Sequence, residues 1–244
     1  MSAATIEDLR KFLVQHLHLI GGFESTGQAL DFPKFELYAR DYLDFAEREL
    51  EKYGIESEND RAHLINCVSH LKRAMDCQLD TFLSAFNLNK IAGKSRLSVG
   101  NKIDFLENIG AFSSRSLRRL NTIRNRMEHE YEVPKIGDIE VYFDLVTAFV
   151  AVLESILTLG EKARLRRFIT QEETEDDIGS VQIEYLQDRP AFEASWGLGK
   201  SFQELTVTLD ERMEFAFLFK AWLFLCRIDG FASRSYVTTH LQTK

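Results

Sequence analysis

Between residues 59 and 86, Leu64, Val68, Leu71, Met75, Leu79, Phe82 and Phe86 recur at steps of three and four. That spacing lays all of them along one stripe of an α-helix, whereas the two-residue period of a strand would scatter them over both faces. The sequence therefore predicts a long helix that has to bury this stripe against other elements. A second apolar helix is predicted from about 138 to 165, through Val141, Leu145, Phe149, Val152, Ile156 and Leu159.

Shorter helices are expected over 5–20, 34–53, 101–109 and 115–130. In 34–53, Phe35, Tyr38, Tyr42, Phe45 and Leu50 recur at helical spacing, with Gly54 as a stop signal. Residues 87–100 read as a loop carrying lysines and serines. Ser113 or Ser114 is expected to cap the 115–130 helix, and Pro134 biases Val133 away from helical geometry, so the chain turns there. Lys162, Arg164, Arg166 and Arg167 fall at the expected end of the 138–165 helix, where its dipole favours cations.

Beyond residue 168 the pattern changes. Glu172, Glu173, Glu175, Asp176 and Asp177 read as a solvated linker. Val181, Ile183 and Tyr185 alternate with polar residues, as do Phe192, Ala194 and Trp196, with Asp188-Arg189-Pro190 between them, which predicts a hairpin. Leu205, Val207 and Leu209 suggest a third strand. Residues 211–228 are assigned to a buried helix on length, although Phe215, Phe217 and Phe219 alternate as in a strand. This apolar stretch is interrupted by Glu214, Lys220 and Arg227 and is shorter than the ~20 residues of a membrane span, so no membrane partner is expected.

The formal net charge of −8 excludes a general nucleic-acid coating protein but leaves room for a local basic surface. The N-terminal twenty residues lack the basic start and continuous apolar run of a signal peptide. Cys67, Cys77 and Cys226 are odd in number and show no Cys-x-x-Cys spacing, which suits reduced thiols in a cytoplasmic protein. His63, Cys67 and His70 stand at i, i+4 and i+7, but no fourth ligand accompanies them, so no metal site is expected and no cofactor is implied.

The chemistry concentrates between residues 115 and 131. Arg115, Arg118, Arg119, Arg124 and Arg126 form a dense positive segment, followed by His129 and Tyr131. The resemblance of Arg124, Asn125, His129 and Tyr131 to the HEPN motif implies cleavage of RNA without a metal, which uses the ribose 2′-hydroxyl as nucleophile. That cleavage requires a base for the hydroxyl proton, an acid for the leaving oxygen, and cations to hold phosphorane charge. Histidine suits either proton role, and the arginine fork matches phosphate oxygens. The surface alternatives are an Arg124–Glu128 pair four residues apart and a cationic His129 at a helix end.

Arg124-Asn125 followed by His129 and Tyr131 resembles the Arg-x-x-x-x-His-x-Tyr motif of the HEPN family, in the form seen in HEPN toxins paired with nucleotidyltransferase antitoxins. The similarity covers roughly residues 59–165. It implies a mainly α fold: a HEPN-like helical bundle over 59–168, a helical extension over 1–58, and a small α+β unit over 169–244. It further implies a metal-independent endoribonuclease acting in toxicity, defence or stress. Arg124, His129 and Asn125 would be catalytic, Arg118, Arg119 and Arg126 would bind RNA, and Tyr131 would support the site or accept a modification. The implied partners are RNA, a second copy of the chain, and an antitoxin or regulatory protein. The alternative within the family is a non-catalytic dimerisation module that binds RNA or protein. Arg124 and His129 are five residues apart, about 140° on an ideal helix. Either the last turn is distorted, or the site is assembled from two chains.

Overall fold

The computed structural model describes residues 4–27, 29–89, 98–112, 115–133, 135–162, 164–171, 176–228 and 232–242. Among them the chain runs α1 (Ile6–His16), β1 (Ile20–Thr26), α2 (Ala39–Lys52), α3 (Asp60–Ala85), α4 (Val99–Asn108), α5 (Arg115–His129) and α6 (Ile136–Gly160). It continues through β2 (Arg164–Thr170), β3 (Asp177–Leu186), β4 (Ala191–Leu198), β5 (Ser201–Thr208), α7 (Arg212–Arg227) and α8 (Arg234–Gln242).

The fold is α+β, which corrects the mainly helical expectation. Five strands form one antiparallel sheet in the order β1-β2-β3-β4-β5. Its first strand, β1, comes from the N-terminal segment expected to be a helical extension, between the helices expected over 5–20 and 34–53. β1 pairs with β2, Phe23 opposite Arg167 and Ser25 opposite Leu165, although α2 to α6 lie between them in sequence. The helices carrying the motif are thus inserted between two neighbouring strands of a sheet.

The boundary expected at 168/169 falls inside β2. One hydrophobic cluster joins Leu9 on α1, the α3 and α6 stripes, the inner face of the sheet and Leu241 on α8. The carboxylates expected in a linker join β2 to β3, which pair directly. Asp177 opens β3 opposite Thr170, while Glu172, Glu173 and Glu175 lie outside the described residues. Ser113, Ser114 and Pro134 also lie outside them, as do residues 90–97 of the expected loop.

The long stripe behaves as its spacing requires. Leu64, Val68, Leu71, Met75, Leu79 and Phe82 are buried on α3, which packs against α2 and α6. α6 is long and apolar enough to cross a membrane by composition, but here it serves as a core helix, burying Val146, Phe149, Val150, Leu153 and Ile156. It ends at Gly160 instead of reaching 165, so Arg164, Arg166 and Arg167 belong to a strand and not to a helix terminus.

In β2 the inward positions are Leu165, Arg167 and Ile169, all buried. Arg167 is only 2% exposed. Its Nε and Nη2 donate to the Leu225 carbonyl at 2.9 and 2.6 Å, and its Nη1 donates to the Gly21 carbonyl at 3.2 Å. The Leu225 carbonyl belongs to the last turn of α7, one of the four carbonyls that a helix end leaves to outside donors.

The hairpin expected around Asp188-Arg189-Pro190 is present as β3 and β4, and residues 212–227 do form a helix. α7 lies on the inner face of the sheet, and an aromatic cluster ties it to α3. Phe86 contacts Tyr185 and Phe219 with ring centroids 5.5 and 5.2 Å apart, and Phe192 contacts Phe215 at 5.1 Å. The Tyr185 hydroxyl donates to the Phe86 carbonyl and the Gln187 amide to the Ala85 carbonyl at 2.8 Å. The sheet therefore supplies partners for the carbonyls that the end of α3 leaves open.

Candidate functional site

α5 is the motif helix, packed against α3 and α6. It runs without interruption from Arg115 to His129, and the Glu130 N–H still donates to the Arg126 carbonyl at 2.8 Å. A distorted last turn is therefore ruled out as the explanation of the five-residue spacing. The helix stops where Tyr131 takes a left-handed backbone, φ 57°.

Angular positions follow from this regularity at about 100° per residue. Arg115, Arg118, Arg119, Thr122, Arg126 and His129 fall within an arc of about 100°. All six are exposed. Arg124 falls on the far side, on the same arc as Leu117, Leu120 and Met127; its side chain lies outside the described set. Asn125, half-buried, falls between them, about 100° from Arg124 and about 40° from His129.

Two of the arginines are already engaged. Arg118 donates to Asp104 at 2.7 Å and to Glu107, both on α4, and these carboxylates raise its pKa. Arg126 lies 3.3 Å from Glu132. Half their side-chain surface stays open to water, where such pairs hold little net energy and exchange readily. Tyr142 on α6, 8% exposed, lies in the field of Arg119 and Arg126. Burial and then Asp138 push its phenol pKa up, while the two arginines oppose that shift. Tyr131 is 88% exposed just beyond the helix end.

Sequence reasoning missed the α4 carboxylates and Tyr142. The Asp104 and Glu107 spacing of three puts both on one face of a short helix, but nothing in the sequence shows that this face meets Arg118. Tyr142 lies among apolar positions of α6 and reads there as core.

The three candidate metal ligands on α3 have other duties. His63 Nδ1 is 2.9 Å from Glu49 and Nε2 is 3.4 Å from Glu56, so the imidazole ties α3 to α2 and the turn after it. The Glu49 carboxyl is held below its ordinary pKa, mainly by that hydrogen bond. Cys67 is fully buried, which pushes its thiol up to about 12, and burial lowers the pKa of His70.

Comparison of the chain with models of known families, with curated proteins and with solved structures finds no match.

Proposed function

We propose that this chain is a metal-independent endoribonuclease of the HEPN type, acting as a homodimer whose site is composed from the α5 helices of two copies. The observation that carries this reading is the exposed arc of α5, where His129 stands in line with Arg115, Arg118, Arg119 and Arg126. A phosphate backbone lying along that arc meets cations first and an imidazole at the helix end.

The regular geometry of α5 favours two chains over one. A two-fold axis near Asn125 brings Arg124 and His129 of both copies to the edges of one groove, because Asn125 lies in the arc between them. One His129 then takes the 2′-hydroxyl proton while the other protonates the leaving 5′-oxygen. Arg124 neutralises the phosphorane, and Asn125 orients the phosphate. The products are a 2′,3′-cyclic phosphate and a 5′-hydroxyl. Tyr131, fully open beside the site, is accessible to a modifying antitoxin. The free thiols Cys67, Cys77 and Cys226 fit a cytoplasmic location.

A second reading, a non-catalytic module that binds RNA or protein, draws on the clamping of Arg118 by Asp104 and Glu107.

The test is cleavage of single-stranded RNA by the purified protein with chelator present. His129→Ala should lower the rate at least about 100-fold, as positioned acid–base catalysis contributes that much or more. Deoxyribose at the cleaved position should block the reaction, and light scattering should give about twice the 28.2 kDa chain mass. Equal trace activity in wild type and His129→Ala would overturn the nuclease reading and leave the binding module.

A further inference from the structure

α7 is apolar on nearly every side, buried between the sheet and the helices, yet Lys220 and Arg227 interrupt it. These residues are seven positions apart and, with Phe224, share one face of the helix. That face borders a cavity of about 940 Å³ between α6, α7 and α8. The walls are mainly apolar, with Val152 and Leu159 from α6 opposite Leu223 and Phe224 from α7. No carboxylate lines the cavity among the described residues; Lys220 also borders a smaller cavity of about 390 Å³ with Arg10, Glu107 and Glu214, where the Arg10 charge, not a carboxylate, acts on its ammonium group.

Half-burying an ammonium group beside hydrocarbon without a counter-charge is unfavourable. The setting of Lys220 makes this worse. Burial and the positive charge of Arg10 on α1 both hold its pKa below the ordinary lysine value. The turn after α4 contributes Gly110, which lies directly against the Lys220 stem. A Cβ at that position would be 3.3 Å from Lys220 Cγ, on a backbone of φ +68° that only glycine adopts readily. The lysine stem is thus confined from one side, and the residue forms part of the cavity wall.

We propose that this cavity is a binding site for an amphipathic anion, a single carboxylate or phosphate head on an alkyl body, with the head held by Lys220 and the body lying between α6 and α7. The volume lies in the upper part of the ~300–1,000 Å³ range of small-molecule sites. The apolar walls exclude a wholly polar ligand, since its hydrogen bonds to water would go unreplaced. Arg227, about 10 Å farther along α7, adds to the field that draws an anion in.

The experiment titrates the full-length protein below the micellar range with dodecanoate, dodecyl phosphate or dodecyltrimethylammonium, followed by calorimetry and thermal unfolding. Dodecanoate, dodecyl phosphate or both should bind saturably and raise the melting temperature, and the stronger of the two identifies the head group. The cationic amphiphile should do neither. Lys220→Met should weaken anion binding at least about tenfold, since a charge-assisted contact to a partly desolvated head is lost. Ser155→Phe, at an exposed α6 position on the cavity rim, should block binding while the circular dichroism spectrum stays native. Equal binding of the anionic and cationic probes, or undiminished binding in Ser155→Phe, would overturn the proposal. Because binding is read without RNA, its failure is distinct from failure of the nuclease reading.

Discussion

Replacing Arg167 with methionine tests whether the N-terminal strand, β2 and the end of α7 are held at one point. Methionine keeps most of the stem volume, so the change removes the hydrogen bonds to the Leu225 and Gly21 carbonyls with little cavity. Two carbonyls lose a donor: that of Leu225, in the last turn of α7, and that of Gly21, which lies where the β1–β2 register shifts between Ile20 and Phe23. Each acceptor left buried without a partner costs about 1–3 kcal/mol. The guanidinium also stacks on Phe23, 4.8 Å from the ring centre, a contact that methionine replaces only in part. Against this stands the recovered cost of burying a charge, so the net loss is about 3 kcal/mol. In a chain of this length that corresponds to a melting temperature lower by roughly 6–12 °C. Thermal and urea unfolding followed by far-ultraviolet circular dichroism would measure it, with the urea midpoint falling at unchanged slope. Arg167→Lys should recover only part of the loss, because a compact ammonium cannot reach both carbonyls. If Arg167→Met were as stable as wild type, the three-element tie would be wrong.

Glu49→Gln should flatten the acid side of the stability profile. The Glu49 pKa is depressed below its ordinary 4.5, so its contribution is fully present above that value and is lost as the pH falls through the lower folded value; melting temperature against pH measures the change. Arg119→Ala should weaken RNA binding and lower the salt slope by about one phosphate contact. Arg118→Ala should do less, because Asp104 and Glu107 already offset its charge; filter binding across a salt series compares the two.

α3 was legible because it buries the very stripe whose period shows in the sequence, and the β3–β4 hairpin was legible from clean alternation around Pro190. In α2 and α6 the helix was legible but its inward face less so, since Phe35, Tyr38 and Val141 are exposed. β1 was not. Its sequence IGGFEST holds two glycines and only Ile20 and Phe23 as large apolar residues, so no two-residue pattern emerges; its place is set by β2, far along the chain. β2 was misread for a related reason. A buried strand would show apolar residues at 165, 167 and 169, but the middle position is an arginine whose charge is met by carbonyls that the sequence does not reveal. At the site, the residue types and the helix were readable, and regular geometry then separated Arg124 from His129. The α4 carboxylates that hold Arg118 depend on tertiary packing alone.

The insertion of α2 to α6 between β1 and β2 determines how the chain responds to truncation. A fragment ending at residue 169 keeps the motif helix and its neighbours α3 and α6, so a self-contained motif-bearing domain would survive the cut. The packing predicts otherwise. The fragment loses β3, β4, β5, α7 and α8, and with them the side chains that cover Phe82, Phe86, Leu165 and Ile169, each buried in the whole chain. Phe82 and Phe86 both rest on Phe219, and Phe86 also on Tyr185. At ~1.5–3 kcal/mol for each large apolar side chain returned to water, uncovering four costs about 6–12 kcal/mol. That matches the whole stability of an ordinary domain, about 5–15 kcal/mol. The end of α3 also loses the donors of Tyr185 and Gln187, and the two-stranded remnant of β1 and β2 is too small to hold itself together. The fragment should therefore be aggregated or expanded in size-exclusion chromatography and should lack a cooperative melt, whereas the full chain melts in one transition. A monodisperse fragment 1–169 with a sharp thermal transition would show that the helices keep their own core and that the sheet and α7 merely rest on it.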